Sequence, residues 1–148
     1  MTKRKFNPNP YWLVFQEAVP KSFASIIADY GFSLSQPSDW LFELRSGVCL
    51  ITIFLDRQSV LGSIKPARVE QVSKVQYYGS IDLGGFIDFL APEENFEYRF
   101  CRKPEEIGDE VDKLARLIQQ YCTPTLKGDF SNWLRLKESI LKKLDIPF

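Results

Sequence analysis

Histidine is absent from this chain of 148 residues. That removes the side chain that titrates near neutrality, and with it the commonest general base, the usual nucleophile–imidazole triads and every metal site built on imidazole. Catalysis by carboxylate, lysine, tyrosine or thiol stays open. Cysteine is scarce: Cys49, Cys101 and Cys122 are three in number and widely separated, with no CxxC spacing. This argues against a disulfide framework, a thiolate zinc site or a thioredoxin-like pair, and reduced, mostly buried thiols are expected. Net charge is missing too, since 19 basic residues balance 19 acidic ones. Nothing therefore draws the chain generally to nucleic acid or anionic lipid, and neither is expected as a partner. The longest apolar run, Val48 to Leu55 interrupted by Thr52, is far too short to cross a bilayer. The first ten residues carry charge and then Asn7-Pro8-Asn9-Pro10, without the apolar core of an export signal, so a cytoplasmic location is expected. Gly84-Gly85 fits neither phosphate-loop pattern, and Lys127-Gly128 has the wrong order, so no cofactor is expected.

Bulky apolar residues are abundant. Apolar types make up 45% of the chain and twelve residues are Phe, enough to build one core and offset the entropy of ordering. One globular domain over residues 1–148 is expected, with 1–10 as an extended lead. The run Lys3-Arg4-Lys5 within that lead reads as a solvated tail.

Periodicity assigns the elements. Trp12, Phe15 and Val19 recur at helical spacing, and Pro20 is placed to end or kink that helix. Phe23, Ile26, Ile27 and Tyr30 form the apolar face of a second helix, stopped by Gly31. Ser33 to Asp39 is polar, contains Pro37 and reads as a loop. Trp40 to Arg45 and Val48 to Leu55 read as a hairpin turning at Ser46-Gly47. The second strand is apolar on both faces, as a strand is when covered on both sides or met by a partner chain. Val60 to Lys65 follows as a third strand, closed by Pro66. Between Val69 and Tyr78 the valine spacing favours helix and the β-branching favours strand, and an irregular segment or short helix is expected. Asp82 to Leu90 reads as helix, weakened by Gly84-Gly85. Phe96, Tyr98 and Phe100 alternate with charged residues as a fourth strand would. Pro104 opens a long helix with a buried face of Ile107, Val111, Leu114, Ile118 and Tyr121, broken by Thr123-Pro124. Asp129 is placed to cap a last helix burying Trp133, Ile140, Leu141 and Leu144. Helix, then strands, then helices, without alternation, indicates α+β: an amino-terminal helix, an antiparallel meander of about four strands and carboxy-terminal helices.

Three groups are candidates for function. Glu105, Glu106, Asp109 and Glu110, followed by Asp112, form the densest acidic group and a candidate surface for a basic partner. Helical spacing allows Glu105, Asp109 and Asp112 one face and Glu106 and Glu110 another. The plainer reading is a solvated helix start matched to the dipole, with Lys113 and Arg116 in pairing range. Tyr77, Tyr78, Asp88, Tyr98 and Arg99 are candidates for an aromatic-lined small-molecule pocket, against which stands ordinary core packing in a Phe-rich chain. Cys101 has Arg99, Arg102 and Lys103 nearby in sequence, which would favour a thiolate if they surrounded it in space.

The helix Phe23 to Tyr30 running into Gly31-Phe32, the Trp40-to-Leu55 hairpin and the closing stretch Tyr121 to Phe130 (YCTPTLKGDF) together resemble the small uncharacterised bacterial α+β domains of the DUF4304-like kind. The resemblance spans most of the chain and implies an amino-terminal helix packed on a strand meander, with helices following. Some comparable small domains are immunity proteins that neutralise a toxin from a neighbouring cell. No site residue transfers. The function expected is therefore a non-enzymatic protein-binding module, with a small-molecule-binding domain or enzyme as the alternative and a homodimer through a sheet face as a third arrangement.

Overall fold

Strict alternation of inward apolar residues over 41–66 makes a sheet, and the flanking helical stripes cover it. The computed structural model describes residues 9–72 and 74–144; the basic run at 3–5 lies outside them. Helix α1 (Pro10–Ser22) starts from Asn9, whose side chain accepts from the Tyr11 N–H, with Pro10 at the first helical position. Pro20 neither ends nor breaks it, and the helix continues to Ser22. After a break at Phe23, α2 (Ala24–Tyr30) ends at Gly31, whose φ of 69° is the left-handed cap that favours glycine.

Five strands follow as an antiparallel meander in chain order: β1 (Ser33–Ser38), β2 (Leu41–Arg45), β3 (Cys49–Asp56), β4 (Ser59–Pro66) and β5 (Ile81–Asp82). The α+β architecture thus matches the expectation, but the strands differ from it in three places, the short β5 being one that the spacing does not predict. Ser33 to Ser38 is not a loop: it pairs with β2 through Ser33↔Arg45, Leu34↔Leu44 and Ser35↔Glu43. It is an edge strand, where Pro37 is tolerated, and the register shifts between Ser35 and Ser38. Residues 96–100 are not a strand. Their backbone meets the sheet at the single bridge Ser59↔Phe100, followed by the Cys101 N–H donating to the Gln58 carbonyl.

At the β2–β3 turn the Ser46 hydroxyl accepts from the N–H groups of Val48 and Cys49 at 3.2 and 3.0 Å. At the β3–β4 turn Arg57 holds a φ of 58°. A side chain with a Cβ is strained there, by about 1 kcal/mol. Arg57→Gly is therefore expected to stabilise the fold by roughly 0.5–1 kcal/mol, raising Tm by about 2–4 °C. A calorimetric scan showing a lower Tm would contradict the strain.

Between β4 and β5 the chain makes two single 3-10 turns, Val69–Gln71 and Val75–Tyr77, resolving the mixed signal at 69–78. Gln71 secures the first, donating to the Val48 carbonyl at 2.9 Å. Helix α3 (Leu83–Leu90) is capped by Asp82, whose carboxylate accepts from the Gly85 N–H at 2.8 Å. Gly84 is required by close approach: a Cβ there would stand 2.7 Å from the Phe96 ring and 2.8 Å from that of Tyr98. Helix α4 (Pro104–Tyr121), the short α5 (Thr123–Leu126) and α6 (Ser131–Lys143) complete the chain. Asp129 sits one residue before the α6 cap, Phe130, and accepts from both the N–H and the hydroxyl of Ser131. Leu144 lies just past the helix and is 64% exposed, contrary to its expected burial.

The helices and the inward sheet residues form one core. Phe42, Leu44, Ile51, Ile53, Leu55, Val60 and Ile64 meet Phe15, Val19, Ile26, Phe86, Ile107, Val111, Ile118 and Trp133. Phe15 and Phe42 touch with ring centroids 5.4 Å apart. The outward residues Leu41, Leu50, Phe54 and Leu61 lie outside that core and are half-buried. The two-sided apolarity of β3 thus marks the central strand, while only one of its faces is covered by the described helices.

Candidate functional site

The acidic start of α4 divides by helical spacing into two sets with different fates. Glu106 and Glu110 turn towards residues 96–102. The Glu106 carboxylate meets the Arg99 guanidinium at 2.7 Å. Glu110, buried, meets Lys113 Nζ at 2.8 Å. Lys113 also donates to the Glu97 carbonyl at 3.3 Å and lies 5.2 Å from the Phe96 ring centroid. These two carboxylates are internal clamps that hold the irregular 96–102 segment onto α4.

Glu105, Asp109 and Asp112 face α1 instead. With Val14, Glu17, Ala18, Lys21, Ser22 and Gly108 they line an open cleft of about 580 Å³. It is continuous through Ser22 and Asp112 with a second depression of about 400 Å³ reaching Arg116, Gln119 and Gln120. From Glu105 to Gln120 the groove follows α4 for about 22 Å. None of its four carboxylates, Glu17, Glu105, Asp109 and Asp112, forms an ion pair with another described residue. Lys21 is the one cation in the larger cleft. Among the described residues no three acidic or cysteine side chains cluster as metal ligands would. The groove is suited to cationic side chains presented along a line, with the apolar floor of Val14 and Ala18 available to their methylene stems.

The five aromatic-pocket candidates do not converge. Tyr98 is fixed by its hydroxyl, which accepts from the Gly84 N–H at 2.7 Å and donates to Asp82 Oδ1 at 2.8 Å. Burial first, and then the Asp82 carboxylate, hold its pKa well above the ordinary phenol value. Arg99 is occupied by Glu106. Tyr77 is buried in the core, and Tyr78 donates to the Ala67 carbonyl at 3.1 Å beneath Lys65 Nζ. Asp88 is exposed on α3. None of the five lines any of the clefts described here.

Cys101 is buried, and its pKa is raised rather than lowered. Burial is the main cause, and the charges of Glu110 and Glu106 outweigh those of Arg99 and Lys113. Of the cations near it in sequence, Arg99 is held by Glu106, and the raised pKa keeps the thiol protonated and poorly nucleophilic.

One cleft was not legible in the sequence. Asn9, Trp12, Trp40, Phe54, Leu55, Asp56 and Arg57 enclose about 490 Å³ where the start of α1 meets the β1–β2 and β3–β4 turns. The available signal was Trp40, a large aromatic beside a turn, 43% exposed in the structure. No family model, curated protein or solved structure matches the chain. Among the described residues no helix is long and apolar enough to cross a membrane.

Proposed function

We propose that this chain is a non-enzymatic, cytoplasmic protein-binding module whose α1/α4 groove receives a basic segment of a partner protein. The observation that carries the reading is the division of acidic residues. Glu106 and Glu110 are neutralised by Arg99 and Lys113, while Glu17, Glu105, Asp109 and Asp112 line one groove without a described ion-pair partner. Like charges gathered along a groove repel one another, and a cationic partner relieves that repulsion while steering its own approach. The resemblance to bacterial α+β domains, some comparable ones serving as immunity proteins, supports a toxin-neutralising role in which a basic toxin surface is the ligand.

The test is co-purification from the native host followed by titration. One dominant protein rich in Lys and Arg is expected, bound less tightly as salt rises. Reversing Glu105, Asp109 and Asp112 to Lys is expected to weaken that binding at least tenfold, from the lost steering and added repulsion. Glu106→Gln, which alters an internal clamp, is expected to leave affinity within about twofold. Recovery of no partner under gentle conditions, or undiminished binding by the triple variant, would overturn the proposal.

A further inference from the structure

The cleft where the start of α1 meets the β1–β2 and β3–β4 turns has aromatic walls that the fold does not use. Trp40 and Phe54 lie outside the hydrophobic core, and Trp40 is 43% exposed. Trp12, the third ring, packs partly against that core. Large rings left around a solvent-facing cleft of about 490 Å³ are the usual lining of a ligand site. The walls are tied together. The Leu55 N–H donates to the Trp40 carbonyl at 2.9 Å, and Gln16 Nε2 donates to the Asp39 carbonyl at 3.2 Å, joining α1 to the β1–β2 turn. The three rings come from three separate segments, and among the described residues none of them stacks on another. They form separate flat patches rather than a slot for one planar ring.

The polar groups beside these rings are of both senses and unclaimed. The Asp56 carboxylate accepts and the Arg57 guanidinium donates; both side chains are exposed, and neither pairs with another described residue. Of the three indoles only Trp133 spends its N–H on a described acceptor, so those of Trp12 and Trp40 are free to donate. Asn9 takes the Tyr11 N–H on its side-chain oxygen, which leaves its amide NH2 as a further donor. One carboxylate and one guanidinium cancel, so the cleft favours neither a cation nor an anion. Arg57 also holds its left-handed φ of 58° here, where glycine would be relaxed, and strain retained at the rim of a cleft points to a used side chain. We infer that this cleft binds a short neutral glycan. A sugar ring offers an apolar C–H face to an indole or phenyl, and a rim of hydroxyls that both donate and accept. Flat patches edged by a carboxylate, a guanidinium and an amide complement both parts. The cleft contains one carboxylate, whereas hydrolysis of a glycosidic bond uses a pair, so the glycan is held without being cut.

The chain has three Trp, and Trp133 has no exposed surface, so a change in intrinsic fluorescence on adding a sugar reports Trp12 and Trp40. Titration of the full chain with maltose, cellobiose, lactose and N,N′-diacetylchitobiose is expected to shift the emission to the blue for at least one of them. Saturation is expected with a dissociation constant on the order of 1 mM or below. Binding of a neutral sugar should hold from low to high salt, unlike binding in the acidic groove, and should survive reversal of Glu105, Asp109 and Asp112 to Lys. Trp40→Ala is expected to weaken binding of the responding disaccharide at least tenfold, with circular dichroism and Tm showing that the variant is folded. Arg57→Gly supplies a second test that keeps every ring. It is expected to raise Tm by relieving the turn, and yet to weaken the same binding at least threefold. A residue that only shaped the turn would leave the affinity unchanged. Choline and adenosine serve as contrasting probes, a cation and a planar ring. Tighter binding of either one than of every disaccharide, no response to any disaccharide at about 50 mM, or undiminished binding by Trp40→Ala or Arg57→Gly would each overturn the proposal.

Discussion

Trp133→Ala is expected to destabilise the protein by about 3–5 kcal/mol, the usual cost of deleting a fully buried Trp, and to lower Tm by roughly 10 °C or more. Trp133 has no exposed surface. Its ring meets Phe130 edge-on at 5.7 Å, and Lys137 Nζ lies 5.8 Å from its centroid. The indole N–H donates to the Ile64 carbonyl at 3.0 Å, joining α6 to β4. Lys137, one turn further on, donates to the Gly79 carbonyl at 3.2 Å and ties the same helix to the chain entering β5. Removing the indole therefore opens a cavity, leaves a buried carbonyl without that donor and loosens α6 from β4. Trp133→Phe separates these effects: it keeps most of the volume, and a loss of about 1–3 kcal/mol is expected from the missing hydrogen bond and the smaller ring. Chemical denaturation followed by circular dichroism measures both. A Trp133→Ala variant within 1 kcal/mol of the parent would show that α6 packs independently of the sheet.

How much of this fold could be read from the sequence follows from how local each signal is. The β2–β3 hairpin was legible because the alternation and its turn residues, Ser46 and Gly47, lie within a dozen positions. Helix α4 was legible for the same reason: Pro104, the acidic first turn and the spacing of Ile107, Val111, Leu114 and Ile118 are all local. Strand β1 was not, because Leu34 is its only large apolar residue and its pairing partner, β2, supplies the ladder. The alternation of Phe96, Tyr98 and Phe100 imitated a strand, yet the three rings serve separate ends. Phe96 packs edge-on against Tyr98 at 5.1 Å, Tyr98 locks the start of α3, and Phe100 faces outward. The candidate site divides in the same manner. That Glu105, Asp109 and Asp112 share one face of α4, and Glu106 and Glu110 another, follows from helical geometry. That Glu17 joins the first set and Arg99 claims a member of the second depends on packing between segments distant in sequence.

Alkaline titration is expected to destabilise the protein progressively from about pH 8.5 to pH 11. Cys49 and Cys122 are fully buried, and burial pushes each thiol up to about 12. Cys49 is raised further by the charge that would develop on Cys122. In the unfolded chain the same thiols ionise near 8.5–9. The native state therefore favours the protonated form, so stability is complete below about pH 8.5 and declines as pH rises through the unfolded value towards the folded one. Two such thiols give a fall of up to about 3 kcal/mol per pH unit in that window, on the order of 5 kcal/mol by pH 11. That is comparable to the entire stability of a modest domain. Tyr98, also raised, begins to contribute in the same direction above pH 10, and Tyr98→Phe should remove that last part. Urea midpoints at pH 7.5, 9, 10 and 11 measure the decline. The double variant Cys49→Ala, Cys122→Ala is expected to start less stable at pH 7.5, because two small cavities replace the sulfurs, and then to lose much less between pH 9 and 11. A parent protein that holds its pH 7.5 midpoint at pH 11 would show that the two thiols ionise within the fold, and hence that the junction of β3 with the end of α4 admits water.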